Sequence, residues 1–345
     1  MRQGEPPSRP AELGLLARYR RPSAARSVWQ IVNTSVPLAG LWLLMLFFVD
    51  RAYGFTLLLA LPTAAFLIRL FIIQHDCGHG AFFASARSSN AIGTIIGVFT
   101  LTPYQYWRRI HAIHHATSGN LERRGFGDID TLTVREYLAL GRWARLRYRL
   151  YRNPLVLFGV GPAFHFIIKH RLPTLVPPSW KRERLSIHVT NVAVAATVAA
   201  MCFAVGPRSF FLVQLPVTLL ASSIGVWLFY VQHQFEDAYW QSSADWSYDA
   251  AALQGSSYLK MPKVLQFFTG NIGLHHVHHL NARIPNYNLQ RAHDENPIFH
   301  NVPTISLWDG ARAVRLKLWD EQTRKLVTFA QARRATVAQA GQATA

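Results

Sequence analysis

The sequence predicts an all-α integral membrane protein. Four transmembrane helices in two hairpins carry a helical cytosolic cap with a histidine-rich metal site. Three observations lead there. Half of the 345 residues are hydrophobic and only 16% are charged, against about 25% charged in an ordinary soluble domain. Four apolar stretches are long enough to cross a bilayer, which takes about 20 residues. Three histidine clusters stand outside them: His75-Asp76-Cys77-Gly78-His79, His111-Ala112-Ile113-His114-His115 and His275-His276-Val277-His278-His279.

The first span runs from about Val28 to Val49 and the second from about Ala52 to Ile73. Only Asp50 and Arg51 separate them, which requires a tight hairpin. The third runs from about Ile187 to Val205. The fourth, from about Phe210 to Val231, follows the turn Gly206-Pro207-Arg208-Ser209. Pro37, Pro62 and Pro216 fall inside spans, where proline is tolerated and often kinks the helix. The chain divides into a cytosolic N-terminal segment (1–27), a membrane domain (28–300) and a cytosolic tail (301–345).

Charge sets the orientation. There are 36 Lys and Arg against 18 Asp and Glu, a formal net charge of +18. Only Arg51 and Arg208 fall in the two tight turns, and Arg69 lies near the end of the second span. Nearly all other basic residues share one side, which the positive-inside rule makes cytosolic. Both termini and all three clusters then face the cytosol. The basic residues flank apolar spans, and no nucleic-acid-binding signature is present, so nucleic acid is excluded as a partner. Cys77 and Cys202 give no disulfide framework, in keeping with a reducing compartment at the active face. Met1 to Arg26 is polar and rich in Arg and Pro, and is read as containing no signal peptide. Glu5 and Glu12 argue against a transit peptide.

Two weaker apolar segments, Ala91 to Leu101 and Leu155 to Ile168, are too short to cross, and Gly159, Gly161 and Pro162 break the second. Both are expected as interfacial or re-entrant pieces. Leu138 to Arg152 alternates Arg with Leu, Trp and Tyr, which suits either a helix on anionic lipid or a solvated basic helix. Thr304 to Ala345 reads as a polar helix fraying into Ala, Gln and Thr, with no chemistry assigned.

The clusters read HxxxH, HxxHH and HxxHH. On a helix, residues three and four apart share a face, so each cluster aims two or three imidazoles at one point. A single HxxHH can be an accidental surface patch. Three on one face of a membrane protein point to metal. His75 follows the second span directly, and His233 is its counterpart at the end of the fourth. The candidate ligands are His75, His79, His111, His114, His115, His233, His275, His278 and His279. Nine is too many for one ion and suits two. His276 faces away from its neighbours on a regular helix and is left out. His165, His170, His188, His293 and His300 stand alone and read as ordinary polar histidines.

Asp76 and Asp128 are candidates to orient ligands as hydrogen-bond acceptors. A structural role for each is the alternative, as for Asp130, Glu236 and Asp237. Asn271, four residues before His275, could reach the metals directly or through water, or serve the backbone alone. Imidazole suits iron, zinc, copper and nickel. Cysteines are too few for structural zinc, and neither HExxH nor the Glu-x-x-His of soluble di-iron bundles occurs. All-nitrogen ligation of two irons remains, with open positions for oxygen.

At these residues the chain resembles the integral-membrane fatty acid desaturases. Gln74-His75-Asp76-Cys77-Gly78-His79-Gly80 is similar to the first box of the bacterial acyl-lipid enzymes. His114 through Leu121 and Gly127 through Thr133 resemble their second-box region. Gln232 through Asp237 and Asn271 through Tyr287 resemble the remainder. The likeness covers roughly residues 30 to 300 and strengthens His233, which spacing alone leaves a lone histidine. It implies a di-iron site that uses O2 to remove two hydrogens from an unactivated acyl chain, most simply on a glycerolipid. An aliphatic C–H bond offers no acid, charge or leaving group, so the cofactor must supply the oxidant and the protein must hold the chain near it. No side chain beyond the ligands is needed as a catalytic group.

No GxGxxG fingerprint, fused haem domain or iron–sulfur cysteine set is present, so a separate carrier is implied, a ferredoxin or a small cytochrome. The basic face suits an acidic carrier or anionic lipid headgroups. The Arg- and Ala-rich usage points to a bacterial inner membrane. Two other readings compete: a membrane di-iron hydroxylase or other lipid or carotenoid oxygenase, and a metal transporter. Transport sites usually lie near the bilayer midplane, whereas these histidines lie outside the spans.

Overall fold

The four apolar stretches fold as four long helices in the computed structural model, which describes residue 14 and residues 16–334. The start of the polar N-terminal segment and the Ala-, Gln- and Thr-rich end lie outside the described residues. Helices α1 (Ala24–Phe48) and α2 (Tyr53–His79) make the first hairpin. Ser23 caps α1 by accepting a hydrogen bond from the Arg26 amide. Helices α3 (Ala86–Phe99) and α4 (Tyr104–Thr117) follow, then the short α5 (Val134–Ala139) and α6 (Arg142–Tyr151). The second hairpin is α7 (Lys181–Val205) and α8 (Pro207–His233), turned at Gly206 with φ +80°. Arg208 and Asp50 pair across the two hairpin turns. The cap closes with α9 (Tyr248–Gln254), α10 (Lys263–Phe268), α11 (His275–Leu280), α12 (Asn286–Asp294) and α13 (Leu307–Ala313).

Helix α2 is the most enclosed of the four long helices and packs against α1, α3 and α8. Its 27 residues span about 40 Å at the α-helical rise, against a hydrocarbon core of about 30 Å. The helix is thus long enough for its last turns, which carry His75 and His79, to extend beyond the hydrocarbon core. Helix α8 has the same length and ends on His233. Gly80 stops α2 with a left-handed φ of +66°, and the amides of Gly80 and Ala81 return to the carbonyls of Cys77 and Asp76. Only glycine takes that φ without strain.

Two expectations are corrected. The segment read as broken at Gly159, Gly161 and Pro162 is a continuous widened helix, with π-turns at Val156–Val160 and Phe164–Ile168. Gly161 allows the widening, since a Cβ there would stand 2.7 Å from the Val156 carbonyl. The described part of the tail read as a polar helix, up to residue 334, instead forms a strand, the short α13 and a hairpin before a last helical turn. Strand β1 (Leu132–Thr133) pairs in parallel with β4 (Leu318–Asp320), which pairs antiparallel with β5 (Lys325–Val327). Strands β2 (Tyr258–Leu259) and β3 (Thr304–Ile305) form a second small sheet. The physical reason is burial. Leu318 and Val327 pack with Tyr137 and Tyr148, while Trp319 and Leu326 pack with Phe235 and Trp240.

Candidate metal centre

Four helices deliver the nine histidines to one place. Helix α2 brings His75 and His79, α4 brings His111, His114 and His115, α8 brings His233, and α11 brings His275, His278 and His279. They sort into two groups: His75, His79, His111, His115 and His278, and His114, His233, His275 and His279. Within each group, one nitrogen from every ring lies within 4.8 Å of the others. The groups adjoin, with His115 stacked on His279 at a centroid distance of 4.1 Å.

The hydrogen-bond partners fix which nitrogens are bare. His114 Nδ1 faces Asp128 Oδ1 at 2.5 Å, and His233 Nδ1 faces the Gly255 carbonyl at 3.1 Å. Both acceptors require a proton on Nδ1. In neutral rings the two Nε2 atoms then carry lone pairs, yet they face each other at 3.2 Å. His275 Nε2 lies 2.9 Å from His233 Nε2. In the other group, His115 Nε2 stands 3.2 Å from His111 Nε2 and 3.0 Å from His278 Nε2. Lone pairs aimed at one another repel unless a cation sits between them. Two imidazole nitrogens bound to one ion at about 2.1 Å stand about 3 Å apart, which is the spacing seen. Among the described residues, buried His79 Nε2 and His279 Nε2 have no hydrogen-bond partner. The donor set fits two metal ions.

Electrostatics agree. His111, His115, His275, His278 and His279 are held well below the ordinary imidazole range, first by burial and then by neighbouring imidazoles. They are neutral at pH 7, the form that binds metal.

Asp76 Oδ1 lies 3.3 Å from His75 Nδ1, and its other oxygen accepts from the backbone and side-chain amides of Asn286. Trp107 stacks on His111 at 4.6 Å. The Trp107 ring occupies the space above Gly78, where a Cβ would meet it at 2.8 Å. Among the described residues, Asn271 makes no side-chain hydrogen bond to a histidine ring. It sits at φ +57° and donates to the Asn286 carbonyl. His276 stands outside both groups, with its Nε2 3.1 Å from His293 Nδ1. Glu236 and Asp237 pair with Lys325 at the surface. Asp130 takes part through its carbonyl, which accepts from Arg152. Arg152, Gln234, Asn286 and the Gly255 carbonyl were not singled out by spacing, because each acts across the fold and not along a helix.

A cavity of about 600 Å3 opens from His75, His111 and His275. Its walls include Phe71, Trp107, Leu157, Ala221, Gly225 and Phe229. His165 and His170 border it too. Burial depresses both, His165 to about 4, so they are neutral wall residues.

Comparison with known proteins matches this geometry to a family. The model of the family described as fatty acid desaturase matches residues 51–307. A fatty acid desaturase of Bacillus subtilis (strain 168) is 47% identical over 314 residues, 91% of this chain and 89% of the relative. An sn-1 oleoyl-lipid 12-desaturase of Synechocystis sp. is 28% identical, over 67% of this chain and 65% of the relative. A chloroplastic sn-2 acyl-lipid omega-3 desaturase (ferredoxin) of Arabidopsis thaliana is 26% identical, over 65% of this chain and 51% of the relative. With two imidazole groups, four apolar helices and a family match across most of its length, the chain belongs to the fatty acid desaturase family.

Proposed function

We propose that this chain is an O2-dependent desaturase that introduces a double bond into a lipid-linked acyl chain. The observation that carries the reading is the convergence of nine imidazoles into two groups at the mouth of a largely apolar cavity. His75, His79, His111, His115 and His278 would hold one iron, and His114, His233, His275 and His279 the other. Bound there, the irons would supply O2 activation and the oxidising power to remove two hydrogens from a saturated chain. The balance is one saturated carbon–carbon bond, O2, two electrons and two protons giving one double bond and two waters.

The chain's own residues do the rest. The imidazoles hold their lone pairs inward because Asp128 and the Gly255 carbonyl take the outward protons of His114 and His233. The walls at Phe71, Trp107, Leu157 and Phe229 exclude water and hold the acyl chain beside the centre. Relatives named for acyl-lipid substrates support a glycerolipid substrate here, and those named with ferredoxin support a separate ferredoxin-like or small cytochrome donor. The four apolar helices and the one-sided basic residues support a bacterial inner-membrane protein with both termini and the centre in the cytosol.

Expression in a host lacking polyunsaturated lipids, followed by mass-spectrometric location of new double bonds, tests this. A new hydroxyl with no double bond would replace desaturation with hydroxylation. Metal flux in liposomes without any O2-dependent lipid change would favour a transporter.

A further inference from the structure

Arg152 is fully buried just beyond α6, and among the described residues its guanidinium hydrogen-bonds only to neutral oxygens. Nη1 donates to the Asp130 carbonyl at 2.9 Å and to Thr131 Oγ1 at 3.2 Å. Nη2 donates to Gln234 Oε1 at 2.8 Å, the Leu316 carbonyl at 3.1 Å and Tyr230 OH at 3.3 Å. A buried cation held by neutral groups alone is a costly way to join segments, and an apolar side chain of similar volume often serves stability as well or better. What Arg152 joins is therefore informative. Asp130 and Thr131 directly follow the turn that carries Asp128, the partner of His114. Gln234 directly follows His233. Thr131 Oγ1 also donates to Gln234 Oε1 at 3.2 Å, so the two segments are tied to each other and to one guanidinium. His114 and His233 belong to the same imidazole group.

We propose that Arg152 is a positioning residue for one metal ion of the two, the one held by His114, His233, His275 and His279. Through the Asp130–Thr131 backbone it sets where Asp128 presents its carboxylate to His114. Through Gln234 it sets the end of α8, where His233 projects. The five-ligand group around His278 makes none of these contacts. This inference rests on the reading that each imidazole group holds one ion.

Lys317 supplies the control. It is a second buried cation at the same junction, but among the described residues its Nζ donates only to the carbonyls of Arg152 and Val314. A purely structural role for this junction makes Lys317→Met and Arg152→Met equivalent. The experiment measures iron per chain in purified detergent-solubilised protein, with the rate of iron release to a chelator and the thermal unfolding temperature alongside. Wild type is expected to hold two irons, Lys317→Met two, and Arg152→Met one. Adding His233→Ala to Arg152→Met should remove no further iron, while adding His278→Ala should remove most of what is left. If Arg152→Met fails to fold, Thr131→Val removes two bonds of the same network. It should then release one iron faster than wild type and the other at the wild-type rate. Two irons retained in Arg152→Met, or equal loss from both groups in either variant, overturns the proposal. Fewer than two irons in wild type overturns the two-ion reading instead.

Discussion

Asp128 Oδ1 lies 2.5 Å from His114 Nδ1, and the other nitrogen of that ring points at His233 Nε2. The carboxylate thereby decides which nitrogen of His114 is free. Gly127, with φ +74°, lets the loop approach α4 closely enough for this, its Cβ position lying 3.3 Å from His114 Cβ. Removing such an outer partner costs about 10–100-fold in metal affinity or activity. Asp128→Ala should therefore release one iron at chelator concentrations that leave wild type intact. Wild-type retention in a chelator titration would show that Asp128 does not set the tautomer.

The two histidine clusters of the HxxHH type contribute six rings to the centre, and His276 stands outside it. His278→Ala and His114→Ala should each abolish activity and release the iron held by its own group, since each removes a converging nitrogen. His276→Ala should retain both, because His276 turns to His293, Tyr258 and Phe299. Iron content by mass spectrometry compares the three. Iron loss in His276→Ala equal to that in His278→Ala would refute the division.

The depressed imidazoles give a pH dependence with a definite sign. Burial holds His111, His115, His275, His278 and His279 well below their ordinary value of 6.5. Below that pH the unfolded chain binds protons at these positions while the folded metal-free chain does not. Stability then falls as pH falls, because the unfolded state binds more protons. Thermal unfolding of chelator-stripped protein should shift downward from about pH 7.5 to about pH 5.5. A flat profile over that range would show these groups already exposed or protonated.

The spans and the convergence of the histidines were legible because both rest on spacing within single helices. His75 and His79, or His275, His278 and His279, share a face by helical period alone. His233 needed position as well, since nothing beside it in sequence repeats the pattern. Arg152 was not legible, because its acceptors at residues 130, 131, 230, 234 and 316 come from separate elements. The tail misled for a related reason. Spacing does not separate strand from helix for Leu318, Trp319, Leu326 and Val327; what decides is that they bury against partners from the middle of the chain. For Asn271 the distance from His275 left a metal and a structural role open; its backbone is left-handed and its side chain donates to the Asn286 carbonyl.

Helix α6 was open to two readings, and its exposed face distinguishes them. Trp143, Leu146 and Leu150 are 69%, 45% and 54% exposed, at spacings of three and four, while Tyr148 is buried. Arg142 and Arg147 are exposed beside them. An apolar stripe flanked by arginines suits a helix lying in the lipid interface. Brominated lipid in nanodiscs should therefore quench Trp143. Trp143→Phe should lower the quenchable fluorescence, most clearly with anionic lipid. Equal quenching in the variant and wild type would place α6 in water.

Gly225 sits on the wall of the cavity between Ala221 and Phe229, and a Cβ built on it meets nothing within 4 Å. The free space beside it is cavity, and no packed neighbour fills it. A large side chain at this position can extend into that space, so Gly225→Phe should fill volume that an acyl chain would occupy. The imidazole groups contain no contact with Gly225, so iron content should stay at the wild-type level. Activity on long acyl chains should fall at least about tenfold, since a misplacement of about 1 Å can cost two orders of magnitude in rate. Shorter chains should lose less, because they leave part of the cavity empty. Product analysis over a series of chain lengths, with iron measured on the same samples, separates the two effects. Equal activity loss at every length with iron intact would show that the chain does not pass Gly225. Iron loss in step with activity would mean that the substitution reached the centre instead.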